Sequence, residues 1–245
     1  MNNLNIKNIA FYAFFNPSFE LKLARGILRD RMVELGIKGT ILMAQEGINC
    51  SLSGLSEKMD IFLPFFFNTI GINDPELKIS FSKEIAFKRS LVKIKPYIVA
   101  KPGITPVNPT KDLAPHVSPE ELHKWIKENK KIVLLDTRND YEYDLGRFKN
   151  SLHLGTKRFS DFEKDLSKAP PEWQNTAVVT FCTGGIRCEK AAPLMIKKGF
   201  QEVYQLDGGI LNYFKKVGRG YFEGECFIFD QRRGLDDKLK EMEIK

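Results

Sequence analysis

The sequence predicts an α/β chain of two domains. Residues 1–95 form an N-terminal ferredoxin-like α+β sandwich, 96–115 a Pro-rich linker, and 116–222 an α/β domain with a central parallel sheet, followed by a C-terminal extension at 223–245. Three observations predict this. The first 95 residues carry strand and helix patterns in the order β-α-β-β-α-β. Pro96, Pro102, Pro106, Pro109, Pro115 and Pro119 then fall within 24 residues, which argues against regular structure. Beyond them short apolar strands alternate with helices, as in a parallel sheet. A length of 245 residues also exceeds the roughly 100–150 of a typical single domain.

The elements follow in order. "NIAFYAFF" (8–15) is an apolar strand, and Asn16 with Pro17 at the first helical position opens a helix. "GTILMA" (39–44) is a strand; "INCSLSG" (48–54), after Glu46-Gly47, is another. A helix spans about 56–69, and "ELKISFS" (76–82) and "SLVKIKPYIV" (90–99) are basic strands. Ser118-Pro119-Glu120-Glu121 has a capping-box pattern and opens the second domain's first helix. Further on, "NTAVVT" (175–180) reads as a strand and "CEKAAPLMIKKGF" (188–200) as a helix.

Composition bounds the class. A hydrophobic fraction of 42% is ordinary for a globular chain, and the longest apolar stretch, "IFLPFFF" (61–67), is far too short to span a membrane. "MNNLNIKN" has one lysine and no long apolar run after it, unlike a signal peptide. Four cysteines without a disulfide-like pattern point to a reducing cytoplasm. Net charge is +7, and residues 1–95 hold 13 Lys and Arg against 9 Asp and Glu, or +4 of it. The excess sharpens in "FKRSLVKIK" (87–95). On a strand, Lys93 and Lys95 point to one face and Val92 and Ile94 to the other. With Lys88 and Arg89 they offer phosphates a basic face; an edge strand that uses lysine against aggregation fits equally well.

Between the last strand and helix lies "FCTGGIRCEK" (181–190). The first backbone N–H groups of a helix lack acceptors, so this junction welcomes an anion. Gly184 and Gly185 let the backbone of Thr183 to Ile186 curl into a nest of donors. Cys182 sits at its mouth, where N–H dipoles and the Arg187 guanidinium favour thiolate over thiol and lower its titration below about 8.5. An isolated cysteine is more often a buried structural residue. Here a strand end, two glycines, an arginine five residues on and a helix coincide, and Cys182 reads as a nucleophile. Cys188, in the helix's first turn, reads as a small buried hydrophobe in preference to a resolving thiol.

This Cys-x4-Arg loop resembles the active-site loop of rhodanese domains, whose cysteine carries a persulfide sulfur. "VLLDTRNDYEYDLGRF" (133–148) is similar to the rhodanese strand ending in Asp-x-Arg, followed by an aromatic-Glu pair and a glycine. The resemblance implies supporting roles for Asp136, Arg138 and Glu142. "VYQLDGGILNYF" (203–214) is similar to the last strand, Gly-Gly turn and helix. Asn150 and Ser151 stand where Gly-Ala is usual. The whole chain resembles one branch of that superfamily, the oxygen-dependent tRNA uridine hydroxylases that make 5-hydroxyuridine at the wobble position. "GTILMAQEGINCSLSG" (39–54), "FKRSLVKIK", "LLDTRNDYE" (134–142), "CTGGIRCEKA" (182–191) and "FEGECFIFD" (222–230) carry it. Cys50 replaces the glycine expected after Ile-Asn, and no cysteine-rich tail follows Asp230. The resemblance implies tRNA as partner and molecular oxygen as co-substrate.

His116, His123 and His153 are scattered, so the two-histidine, one-carboxylate set of a non-haem iron oxygenase is not expected. No Gly-x-Gly-x-x-Gly fingerprint marks a flavin or nicotinamide site. No cofactor is therefore expected. A tRNA oxygenase, a sulfurtransferase using a Cys182 persulfide and an idle binding module compete. Intact Cys182 and Arg187 disfavour the module, and the basic first domain favours a nucleic-acid substrate. A cysteine phosphatase is disfavoured because its loop places five residues, not four, between Cys and Arg.

Overall fold

The computed structural model describes residues 5–73 and 75–241. Chain contacts divide it into two units: the first runs to Ile98 and takes back Phe229–Arg232, and the second holds the remainder. In the first unit the elements are β1 (Ile6–Phe14), α1 (Leu21–Glu34), β2 (Lys38–Ala44), β3 (Gly47–Leu55), α2 (Ser56–Ile70), β4 (Lys78–Ser82) and β5 (Ser90–Ile94). The sheet order is β4-β1-β3-β2-β5. The pairs within β4-β1-β3-β2 are antiparallel, and β5 adds in parallel to β2 at the edge. Antiparallel strands backed by two helices thus make the expected ferredoxin-like sandwich.

Helical spacing explains the packing. Ala24, Leu28 and Met32 of α1 and Met59, Phe62, Phe66 and Ile70 of α2 bury one stripe each against Ile9, Phe11, Ile41, Met43, Ile48, Cys50 and Leu52 of the sheet. Cys50, where a glycine is expected, fills this core. One expectation is corrected: α1 begins at Leu21, with Glu20 at its N-cap, and not at Asn16-Pro17. Phe15 and Phe19 pack on the core instead, and Phe15 N–H bonds the Glu46 carbonyl at 3.0 Å. Burying two phenylalanines holds residues 15–20 as a connector, overriding a local capping signal.

The second unit comprises β6 (His116–Val117), α3 (Pro119–Lys127), β7 (Ile132–Asp136), α4 (Asp140–Leu145), β8 (Gly146–Phe148), β9 (Leu152–His153), α5 (Phe162–Leu166), β10 (Ala177–Phe181), α6 (Cys188–Lys197), β11 (Val203–Leu206), α7 (Gly209–Val217), β12 (Phe222–Gly224), β13 (Cys226–Phe227) and β14 (Gly234–Leu235). Its main sheet is all parallel, in the order β6-β11-β10-β7-β9. Both faces are covered, as a parallel sheet requires. Val179 and Phe181 look toward Leu122 and Ile210 of α3 and α7, whereas the alternate residue Val178 looks toward Phe162 and Leu194 of α5 and α6. Ser118 accepts the Glu121 N–H at 3.1 Å, the cap the sequence anticipates.

The boundaries move from their expected places. The first unit ends at 98, not 95, because Ile98 N–H bonds Glu46 Oε1 at 2.8 Å and Asn49 Nδ2 bonds the Ile98 carbonyl at 3.1 Å. From Val99 onward the proline-rich stretch is fastened to the second unit: Thr105 N–H bonds Glu163 Oε2 at 2.8 Å, and Lys197 Nζ bonds the Pro106 carbonyl at 2.9 Å. The 223–245 extension is also divided. Arg232 donates to Ser80 Oγ at 2.9 Å, and Gln231 N–H to the Ala86 carbonyl at 3.1 Å, both in the first unit.

Candidate active site

Parallel strands deliver their C-terminal ends to one edge of the sheet, and there β10 opens into the loop Cys182–Arg187 before α6. Gly185, not Gly184, carries the left-handed turn, at φ +98°. That turn aims the Gly185 N–H at Cys182 Sγ, 3.1 Å away. The loop is held from below by α7. Ile210 and Leu211 N–H groups bond the Cys182 and Thr183 carbonyls, each at 3.0 Å. Gly209 lies so close that a Cβ there would come within 2.4 Å of the Cys182 carbonyl oxygen. The Gly-Gly turn seen in the sequence is thus the floor of the loop.

Arg187 turns inward and forms a two-pronged pair with Glu142: Nη1 to Oε2 and Nη2 to Oε1, both 2.7 Å. Both side chains are buried. Glu142 Oε2 also accepts the Asn139 N–H at 3.1 Å, which ties the pair to the start of α4. Asp136 and Arg138 form a separate buried couple, Nη2 to Oδ2 at 2.6 Å, with the same Nη2 on the Gly146 carbonyl at 2.6 Å. It anchors the chain where α4 passes into β8. Of the three expected supporting residues, Glu142 bonds Arg187 directly, while Asp136 and Arg138 bond each other.

Cys182 is 1% exposed. Burial pushes its thiol up, but a hydrogen bond from Cys188, the Arg187 charge and the backbone N–H groups of Arg187 and Gly185 outweigh it and bring the titration from 9.0 down to about 6. Cys188 moves oppositely. Burial, its bond to the Cys182 sulfur and the charge there hold it protonated well above 9.0. Its sulfur also lies 3.6 Å from Thr137 Oγ1. Cys188 is buried, as expected.

Other contacts have no counterpart in the sequence patterns. β13 runs beside the loop, where the Phe227 carbonyl accepts from Thr183 Oγ1 at 3.2 Å and the Phe227 ring meets Tyr141 edge-on at 5.2 Å. Cys226 is buried near Arg138, Glu142 and the Thr183 hydroxyl, and burial pushes its thiol up to about 12. "GECF" is visible as an unusual stretch, but nothing local in it says where it docks. Lys88, Arg89, Lys93 and Lys95 are all exposed; Lys93 lies on β5, opposite in facing to buried Val92. The histidines stay apart. His123 Nδ1 meets Tyr213 Oη at 2.9 Å, His153 Nε2 meets the Arg138 carbonyl at 2.8 Å, and His116 Nδ1 meets Asp207 Oδ1 at 3.5 Å. Among the described residues, no group of three or more His, Cys, Asp or Glu is placed to hold a metal, and no helix is long and apolar enough to cross a membrane.

An acidic, recessed cysteine between a parallel strand and a helix defines a rhodanese-type site, and residues 118–216 match the rhodanese-like domain. Residues 6–98 match the UPF0176 acylphosphatase like domain. Proteins carrying the curated name tRNA uridine(34) hydroxylase are similar along nearly the whole chain. Those of Cupriavidus taiwanensis and Bordetella avium are each 39% identical over 97% of this chain, covering 85% and 99% of their own lengths. That of Legionella pneumophila is 38% identical over 94% of this chain and 90% of its own. The chain belongs to the tRNA uridine(34) hydroxylase family.

Two outcomes follow from this geometry. Iodoacetamide alkylation of Cys182 should rise with pH about a midpoint near 6, since thiolate is the reacting form, and Cys188→Ala should move the midpoint upward by removing a donor to the sulfur. A midpoint unmoved in that variant would show that Cys188 does not set the acidity. Arg187→Ala strands a buried carboxylate and should cost about 3–5 kcal/mol in urea unfolding. Arg187→Met with Glu142→Leu should cost less than the single change, and equal losses would contradict the pair as drawn.

Proposed function

We propose that this chain hydroxylates C5 of the wobble uridine, position 34, in tRNA, with molecular oxygen as co-substrate and Cys182 as nucleophile. Similarity at 38–39% identity over nearly the full length to the named hydroxylases carries this reading. The site supports the chemistry. A thiol that titrates at about 6 is roughly nine-tenths thiolate at pH 7, ready to add to C6 of the uracil ring. Addition makes C5 an enolate carbon, the position open to oxygen. No substrate base reaches a sulfur this recessed while stacked in its helix, so the uridine enters as a single flipped base.

Lys88, Arg89, Lys93 and Lys95 supply phosphate contacts in this reading, and the cytoplasm supplies the tRNA. Arg187 is a positioning residue. Its guanidinium is engaged by Glu142, so it sets the loop's shape and adds charge near the sulfur without being free to clamp a small anion. That favours a large substrate anchored elsewhere over a thiosulfate-like donor.

Unmodified tRNA incubated with the chain under labelled molecular oxygen should gain one labelled oxygen at uridine 34, read by nucleoside mass spectrometry, and Cys182→Ala should gain none while remaining folded. A sulfur-bearing nucleoside, or vigorous thiosulfate turnover without oxygenated product, would replace the hydroxylase with a sulfurtransferase. Replacing Lys93 and Lys95 together with alanine should weaken tRNA binding and flatten its salt dependence, by about 0.9 in log–log slope for each phosphate left without its lysine. An unchanged slope would return the lysines to edge protection.

A further inference from the structure

A uracil drawn out of its stack leaves both π faces in water, and proteins that take in such a base offer it an aromatic ring. Among the described residues of the second unit, Tyr141 is the one exposed Phe, Tyr or Trp, at 47%. We propose that this ring is the platform on which the uracil of uridine 34 stacks at the mouth of the Cys182 loop; the proposal rests on the hydroxylase reading above.

Two short chains of contacts place the ring at that mouth. Along the sequence, Tyr141 precedes Glu142, whose carboxylate takes both Arg187 Nη groups at 2.7 Å where the loop ends. Through space, the Tyr141 and Phe227 rings meet at 5.2 Å between centroids and 80° between planes. The Phe227 carbonyl in turn accepts Thr183 Oγ1 at 3.2 Å, one residue along from Cys182. Neighbouring residues of a helix point about 100° apart, so α4 can bury Glu142 and leave Tyr141 on its outside.

The ring is held without being covered. Asn139 Nδ2 donates to Tyr141 Oη at 3.2 Å, which fixes one end, and Phe227 fixes the body. An edge-on contact takes at most one face of a ring, so Tyr141 keeps a face for a guest. A platform fixed before the base arrives loses little rotamer freedom on binding it. Tyr143, two residues on, is the contrary case. His153 stacks on it at 4.9 Å and 17°, and the Arg147 guanidinium lies 4.7 Å from its centroid, so that ring is engaged within the protein.

The chemistry of such a platform is that of a flat guest. Every base has a π face, so stacking gives affinity without reading sequence, while phosphate contacts elsewhere set the register of the strand. Thiosulfate is tetrahedral and has no flat face to stack. An exposed, braced aromatic at the mouth of the loop therefore serves a nucleobase and not a small sulfur donor.

The test is a double-mutant cycle on the full chain, made in a Cys182→Ala background so that no covalent adduct contributes. The probe is an anticodon stem-loop RNA with uridine 34, compared with the same RNA lacking the base at 34. Tyr141→Ala should weaken binding of the first about tenfold and of the second less than about twofold. Tyr141→Phe, which keeps the face and loses the hydroxyl, should bind within about twofold of the parent, whereas Tyr141→Leu should resemble Tyr141→Ala. With Cys182 restored, each variant should keep the thiol's alkylation midpoint near 6, showing the loop intact. Equal losses on the two RNAs, or a loss that disappears only when base 33 or 35 is removed, would overturn the assignment to uridine 34. Unchanged binding by Tyr141→Ala, in a protein whose wild type makes 5-hydroxyuridine, would overturn the platform and leave the hydroxylase standing. Absence of that product from the wild-type chain would overturn the hydroxylase reading and the platform with it.

Discussion

The buried pair between Arg187 and Glu142 is the constraint on which the rest of the site depends. A guanidinium taken out of water needs its charge met and its N–H groups bonded, and Glu142 meets both demands with two bonds of 2.7 Å. The last residue of the loop is thereby fixed to α4, while its start continues β10. With both ends held and the α7 N-terminus pinning two carbonyls, the backbone between them has little freedom. Its N–H groups converge on one sulfur because the chain has nowhere else to turn.

That convergence explains how a cysteine can be both buried and acidic. Removing a thiolate from water costs more than any single hydrogen bond returns. Several donors must act together, and the nest supplies backbone N–H groups that need no rotamer ordering, a nearby fixed cation and a neighbouring thiol. The contrast with Cys226 and Cys50 is instructive. Both are as deeply buried, both lack such a set of donors, and burial takes each of them to about 12. Seclusion alone makes a cysteine inert; seclusion inside a ring of donors makes it a nucleophile that water does not reach.

Much of this is legible in the sequence because it is local. The ferredoxin-like order, the capping box at Ser118 and the strand-loop-helix around Cys182 all depend on neighbours within a few residues. The Asn16-Pro17 helix start misleads because its local cue is overridden by two phenylalanines that bury against distant strands. The pairing of Glu142 with Arg187 enters only through resemblance, since nothing in the spacing of residues 45 apart forces them to meet. Cys188 is buried, as its place in a first helical turn suggests. The docking of "GECF" against Thr183 is wholly a matter of tertiary path and leaves no local trace.

The return of Phe229–Arg232 to the first unit has a consequence for how the protein is made. A ribosome delivers the N-terminal sandwich first, and an uninterrupted domain can finish folding while the remainder is still being synthesised. Here it cannot finish. The bond from Arg232 to Ser80 spans 152 positions of sequence and must wait until residue 232 has been added. The nascent first unit therefore stays incomplete while residues 99–228 are being made, and its last contacts form only after them.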